Sequence, residues 1–519
     1  MTTVVPDSDT LTRDALAVLQ PTFTGTHRAP DWLLAQLENG MTGVGLFGRN
    51  VVSTEQLAEL TGHLRRARPE VLVAVDEEGG DVTRLDVHGG SSVPGNHALG
   101  SVDDPELTRA VAAEIGRRLA ACGVNVNWAP SADINSDPEN PVIGVRSFGE
   151  EPGLVARHTV AYVEGLQSAG VAACVKHFPG HGNTNVDSHH ALPRIDIDLE
   201  TLHERELAPF RAAIAAGTRC VMSAHILVPA LDPDRPGTLS PAVLTGLLRA
   251  PAAEGGLGFD GLIYSDAIEM RAVAETYGLE QGCVLAVAAG ADALCIGGTP
   301  SDEAEVLRLR DALVNAVRSG ALPEERLHEA AERVRALGRW TAAERGRLAA
   351  APLDPGPEGA EIGLVAARRA VVISRADDAP RLPLTGPAHV ATLSPAANIA
   401  VGEETPWGPG AELSRLLPGT TLSGHAGADA ERAGPAGLAG EVLAAAGERH
   451  LVVVVRDRHR HAWMADTVTE LVAARPETVV VEMGVPHAAP VGAAHLATYG
   501  AARVCARAAA EALTGHRPG

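Results

Sequence analysis

The amino-acid sequence predicts an α/β protein: an N-terminal (β/α)8 barrel of the TIM type joined to a smaller C-terminal α/β domain. Three observations lead there. Short apolar runs of strand length alternate with amphipathic helical stretches through residues 15–340. Eight such runs occur, at 15–23, 43–48, 71–76, 124–129, 171–176, 220–225, 262–266 and 291–297. Polar or charged residues gather where the runs end, as in Asp76-Glu77-Glu78-Gly79-Gly80, Lys176-His177 and Ser265-Asp266. In a parallel α/β barrel that rim carries the chemistry. A doubly wound open sheet is the structural alternative.

Between the strand runs lie amphipathic helices such as 105–121 and 153–169. A helical stretch at 324–347 closes the first domain, which spans 1–349. The Pro/Gly/Ala-rich segment AAPLDPGPEGAE, 350–361, reads as a linker. Strand runs at 370–373, 390–393, 451–455 and 478–482 then alternate with helices such as 463–474, defining a second α/β domain over 362–519. The length of 519 residues suits this division, since single cores stop growing well below that size.

Hydrophobic residues make up 45% of the chain and charged residues 21%, enough for a packed core. Lys+Arg number 43 against Asp+Glu 65, a net charge of -22, which argues against nucleic acid or an anionic membrane as partner. Six scattered cysteines form no CxxC pair and no zinc spacing. The N-terminus lacks a basic start followed by an apolar stretch of signal length. No run reaches the roughly 18 apolar residues of a membrane span. The expectation is a soluble, cytoplasmic protein without a cofactor. The stretch RDRHRH, 456–461, lacks nearby acids at ligand spacing and reads as a solvated turn.

Lysine occurs once, at Lys176; every other basic side chain of the Lys/Arg type is arginine. Such a position marks a need for a compact ammonium rather than a planar guanidinium, unless it fell there by chance. It opens the most informative segment, CVKHFPGHGNTNVDSHHALP at 174–193. Pro179, Gly180 and Gly182 force a loop there, and Lys176, His177, His181, Asp187, His189 and His190 crowd it. A metal site finds little support: no helical HExxH-type spacing is present, and the lysine would repel a cation. An acid/base loop fits better. Asp187 and His189 are two apart, close enough to meet in a turn. A carboxylate bonded to one imidazole nitrogen fixes the tautomer, and the other nitrogen can then move a proton near neutral pH. A purely structural loop hydrogen bond is the bland alternative. A nucleophile is offered by Asp266 at the end of the run GLIYSD. Glu269 is the nearby alternative, but helical phasing carries it away from the mouth.

Five motifs occur in order: DEEGGDVTRL at 76–85, NPVIGVRSFG at 140–149, KHFPGHG at 176–182, DSH at 187–189 and Ser265-Asp266. Together they resemble the bacterial β-N-acetylglucosaminidases of glycoside hydrolase family 3, over most of residues 15–340. The second domain resembles the α/β domain of two-domain members, without a diagnostic motif. The resemblance implies a retaining mechanism: Asp266 as nucleophile, and His189, oriented by Asp187, as acid/base in place of the usual second carboxyl group. It implies that Asp76, Arg84, Arg146, Lys176 and His177 bind the sugar hydroxyls through charge-assisted bonds. His181 would shape the loop. An arginine at 176 would be too broad for a pocket sized to one hexose. The chain departs from the pattern at Asp81, where the family usually has arginine, and at Ala267, where a second acid is common.

The expected activity is release of terminal GlcNAc from a small oligosaccharide, either a chitooligosaccharide or a cell-wall fragment. Aromatic residues are 3% of the chain, which favours a short substrate over a polymer needing a stacking platform. Three alternatives stand beside it. A phosphorylase would use inorganic phosphate and yield GlcNAc 1-phosphate, since a histidine acid/base does not repel phosphate. A β-glucosidase would draw its acid from Glu403 or Glu404, leaving DSH without a role. A non-catalytic sugar-binding protein would have no use for the nucleophile and the dyad.

Overall fold

The computed structural model describes residues 8–184, 192–351, 359–375, 382–396, 400–402 and 404–516. They form two compact units. The first comprises the described residues of Met1–Glu78, Thr108–Ile143 and Glu150–Gly356; the second, those of Gly79–Leu107, Gly144–Gly149 and Pro357–Gly519. Two short segments that follow barrel strands in the sequence therefore pack with the C-terminal residues. Most of the linker expected at 350–361 lies outside the described residues.

The first unit is built on eight strands: β1 (Leu19–Pro21), β2 (Gly43–Leu46), β3 (Leu72–Val75), β4 (Val126–Asn127), β5 (Ala172–Phe178), β6 (Cys220–Ser223), β7 (Leu262–Tyr264) and β8 (Leu294–Ile296). Strands β2 to β7 pair in chain order, and β1 pairs with β8, all in parallel. Parallel bridges Thr22↔Gly45 and Tyr264↔Ala293 join the two sets, so the ring closes as a barrel. Every residue of these strands is buried, as expected of strands with helices outside and side chains within.

Strand alternation sorts the side chains. Leu72, Ala74, Val126, Trp128, Ala172, Cys174, Cys220, Met222, Leu262 and Tyr264 form one interior cluster, joined by Val334 and Leu337 of the helix Glu324–Ala350. Continuing the period of two by one step puts Asp76, Lys176 and Asp266 on the inward face at the rim. The interior is tight: a Cβ on Gly45 would lie 2.8 Å from the Trp128 ring.

The second unit holds a six-stranded sheet: β9 (Val372–Arg375), β10 (Ala388–Ser394), β11 (Thr421–Ala426), β12 (His450–Val455), β13 (Val479–Glu482) and β14 (Ala494–Ala497). The order is β11-β10-β12-β13-β14-β9, parallel except for β9 against β14. Two strands were not foreseen. β11 (TLSGHA) and β14 (AHLA) are short and rich in Ala and Gly, and exist because neighbours pair with them. Asp81, one of the departures noted above, lies in this unit. It makes a buried ion pair with Arg456 and accepts the Ala501 N–H at 2.7 Å. Among the described residues, no helix is long and apolar enough to cross a membrane.

Candidate active site

The rim of the barrel brings together groups from distant parts of the chain. Lys176 Nζ lies 2.6 Å from Asp76 Oδ1 and 2.7 Å from Glu78 Oε1. The Lys176 and Glu78 side chains are each 3% exposed and that of Asp76 18%, so only the aspartate faces outward appreciably. The loop after β3 is held from below. Glu77 N donates to Asn127 Oδ1 at 2.9 Å, Asn127 Nδ2 donates to Glu77 O at 2.8 Å, and the buried Tyr162 hydroxyl reaches the Glu77 and Glu78 carbonyls. Sequence reasoning found Asp76 and Lys176 but passed over Glu78, although it stands in the same DEEGG run.

Asp133 organises the next loop. Its Oδ2 lies 2.6 Å from His177 Nδ1 and accepts from Ser131 Oγ at 2.9 Å. Its Oδ1 accepts the N–H groups of His177, at 3.1 Å, and of His181, at 2.7 Å. Burial alone would raise the Asp133 carboxyl, but the imidazoles of His177 and His181 and these donors hold it well below the usual carboxylate range. An ionised carboxylate only accepts, so His177 Nδ1 carries its proton toward Asp133. Burial and the neighbouring His177 bring the His181 imidazole down to about 4, so it is neutral at physiological pH. Gly182 completes the loop against the chain near residue 134; a Cβ there would stand 1.6 Å from the Ile134 oxygen. Asp133 was missed by sequence reasoning, although it follows β4 as other rim acids follow their strands.

Asp266 stands two residues past β7 and is partly exposed. Its Oδ1 accepts the N–H of Ala267 at 2.8 Å. The turn it begins is fastened to β8: Ser265 N donates to Ala293 O, Cys295 N to Ser265 Oγ, and Ile268 N to Cys295 O. His181 and Cys295 both lie within the field of the Asp266 charge, and Cys295 also within those of Asp76 and Lys176. Glu269 is turned to the backbone N–H groups of Gly297 and Gly298, and its burial raises its pKa.

Arg84 and Arg146 belong to the second unit and are buried there. Arg84 donates to Ala400 O at 2.9 Å, and Asn96 Nδ2 donates to the Arg146 carbonyl at 2.7 Å. Asp187, His189 and Glu403 lie outside the described residues. Glu404 is exposed.

A closed parallel barrel with carboxylates, an ammonium and imidazoles gathered at the C-terminal ends of its strands has the layout of a TIM-barrel enzyme. The chain belongs to glycosyl hydrolase family 3: residues 17–337 match the model of that family's N-terminal domain. It is 35% identical over 320 residues to a beta-hexosaminidase A of Pseudoalteromonas piscicida, an alignment covering 57% of this chain and 52% of that one. The chain thus spans about half the length of that relative. Against a beta-hexosaminidase of Chromobacterium violaceum the identity is 35% over 317 residues, covering 60% of this chain and 84% of the other. The solved structure of a family 3 beta-N-acetylglucosaminidase from Paenibacillus sp. superposes with a TM-score of 0.83 at 35% identity, covering 97% of this chain and 96% of that one.

Proposed function

We propose that the protein is a retaining, exo-acting β-N-acetylglucosaminidase that releases terminal GlcNAc from short β-glycosides such as chitooligosaccharides or cell-wall fragments. The observation that carries this reading is the Asp76–Lys176–Glu78 cluster on the same barrel rim as Asp266. Side by side, the carboxylate can accept from one sugar hydroxyl while the ammonium donates to its neighbour. The names of the relatives supply the reaction class.

In this reading Asp266 forms a bond to the anomeric carbon as the glycosidic bond breaks, and His189 gives its proton to the leaving oxygen. Asp187 holds the imidazole and stabilises the cation it passes through. Water then attacks the same carbon, His189 takes its proton, and the Asp266 ester is released as carboxylate and sugar. His177, tied to Asp133, takes a hydroxyl of the same hexose. All six cysteines are buried free thiols, which suits a reducing compartment and supports a cytoplasmic location.

The test is a product analysis with 4-nitrophenyl β-N-acetylglucosaminide, with and without phosphate, beside the matching β-glucoside. Free GlcNAc in both buffers is expected. GlcNAc 1-phosphate formed only with phosphate would overturn hydrolysis. Turnover of the glucoside alone would overturn the sugar assignment, and binding without turnover would overturn the enzyme.

A further inference from the structure

His225 follows β6 and is fully buried. Its Nε2 lies 2.8 Å from the carbonyl oxygen of Ala267, the residue after Asp266. A carbonyl oxygen only accepts, so Nε2 carries a proton and donates it. Its Nδ1 lies 2.9 Å from Thr238 Oγ1, which in turn lies 2.8 Å from Ser223 Oγ. Ser223, Thr238 and His225 are all fully buried. The ring is therefore the middle of a polar chain that begins on β6 and ends on the backbone beside the rim aspartate.

That backbone is clamped from both sides. In the peptide joining Ala267 to Ile268, the carbonyl is held by His225 and the N–H donates to Cys295 O at 3.0 Å. The preceding peptide gives its N–H to Asp266 Oδ1 at 2.8 Å. The orientation of the carboxylate is thus tied to residue 267, which is held between the loop after β6 and strand β8. A buried histidine is often no more than a satisfied core residue. This one spends its donor on the residue adjoining the proposed nucleophile.

We infer that His225 is a positioning residue for Asp266: by holding the Ala267 carbonyl it aims the carboxylate at the anomeric carbon. The inference rests on the reading of Asp266 as nucleophile. An attacking atom must be held in a near-attack geometry, and a misplacement of about 1 Å costs on the order of 100-fold in rate. Loss of aim falls on the step in which the bond forms. It should leave sugar binding in place and act alike on good and poor leaving groups.

The test uses the full chain carrying His225→Leu, His225→Gln or Thr238→Val, beside Asp266→Ala, assayed with 4-nitrophenyl and dinitrophenyl β-N-acetylglucosaminides and by thermal melting. The expectation for His225→Leu is a folded protein with KM near that of the parent and kcat lower by on the order of 100-fold on both substrates. The glutamine amide can reach toward the same carbonyl and donate, and should restore kcat to within about tenfold of the parent. A folded His225→Leu protein with kcat within about threefold of the parent would overturn the inference, as would a loss expressed only in KM or a glutamine variant no better than leucine. Should the leucine variant fail to fold, the other two decide. Thr238→Val removes the hydroxyl that steadies Nδ1 and should lower kcat several-fold without moving KM; unchanged kcat in this variant would overturn the inference. An active Asp266→Ala protein would instead overturn the nucleophile reading itself. An inactive Asp266→Ala beside a fully active His225→Leu would overturn the positioning role alone.

Discussion

Lys176 Nζ meets Asp76 Oδ1 at 2.6 Å, although the two residues stand 100 positions apart in the chain. The same ammonium holds Glu78 at 2.7 Å, so one cation separates two carboxylates in a place where water hardly reaches. The only lysine of the chain stands on β5, and its compact head fits between two acids that follow β3 and that a guanidinium would push apart.

Lys176→Arg is accordingly expected to keep the charge but to raise KM or lower kcat/KM in steady-state assays; unchanged kinetics would show that the pocket tolerates the wider head. Lys176→Met leaves Asp76 and Glu78 facing each other without a cation. Urea denaturation should show a loss of about 3 kcal/mol, the usual scale for removing one partner of a buried ion pair. A variant as stable as the parent would show that the pair contributes nothing net.

Asp133→Asn tests the hub beneath the His177–His181 loop. The amide cannot accept on both sides as the carboxylate does, so the His177 ring is released. The expected loss in kcat/KM is roughly tenfold to a hundredfold. Stability should fall by about 2 kcal/mol, as for hydrogen bonds to a charged group. Parental kinetics would mean that the ring orientation set by Asp133 is irrelevant to the reaction.

Asp266→Ala and His189→Ala should fail differently. The first is expected to abolish turnover of every aryl substrate while the melting temperature stays near that of the parent. The second should slow poor leaving groups by about 100-fold or more and activated aryl groups far less, because the latter depart without protonation. An equal loss on both classes would remove His189 from the general-acid role.

Glu206 supplies a pH prediction. Its side chain is 1% exposed, and burial pushes its carboxyl up to about 7 from an ordinary 4.5, against the pull of Arg205 and with the push of Asp133. The native state therefore binds this proton more tightly than the unfolded chain does. Its contribution is fully present below pH 4.5, declines as pH rises from there to about 7, and above that is a constant cost. Glu206→Gln removes the titration. The variant should gain on the parent between pH 5 and pH 8, by roughly 3 kcal/mol at most. Stability curves that run parallel across this range would contradict it.

Much of the barrel was legible because its strands are buried on both faces and read as short apolar runs, and all eight lie within the predicted runs or overlap them. Glu78 and Asp133 were harder to see. Each is one acid among many in the sequence, and only the neighbours that ring closure delivers set it apart. Strands β11 and β14 carry too little intrinsic preference to announce themselves.

The sequence by itself determined the parallel α/β architecture, the rim positions of Asp76, Lys176 and Asp266, and the family, since side-chain period and strand-end chemistry are local properties of the chain. Only the tertiary structure decided that Lys176 bridges two acids, that Asp133 gathers the two histidines, that His225 holds the turn after Asp266, and that 79–107 and 144–149 pack with the C-terminal residues. Those are relations between distant residues, and they exist only once closure of the barrel and pairing of the second sheet have brought the partners within hydrogen-bond reach.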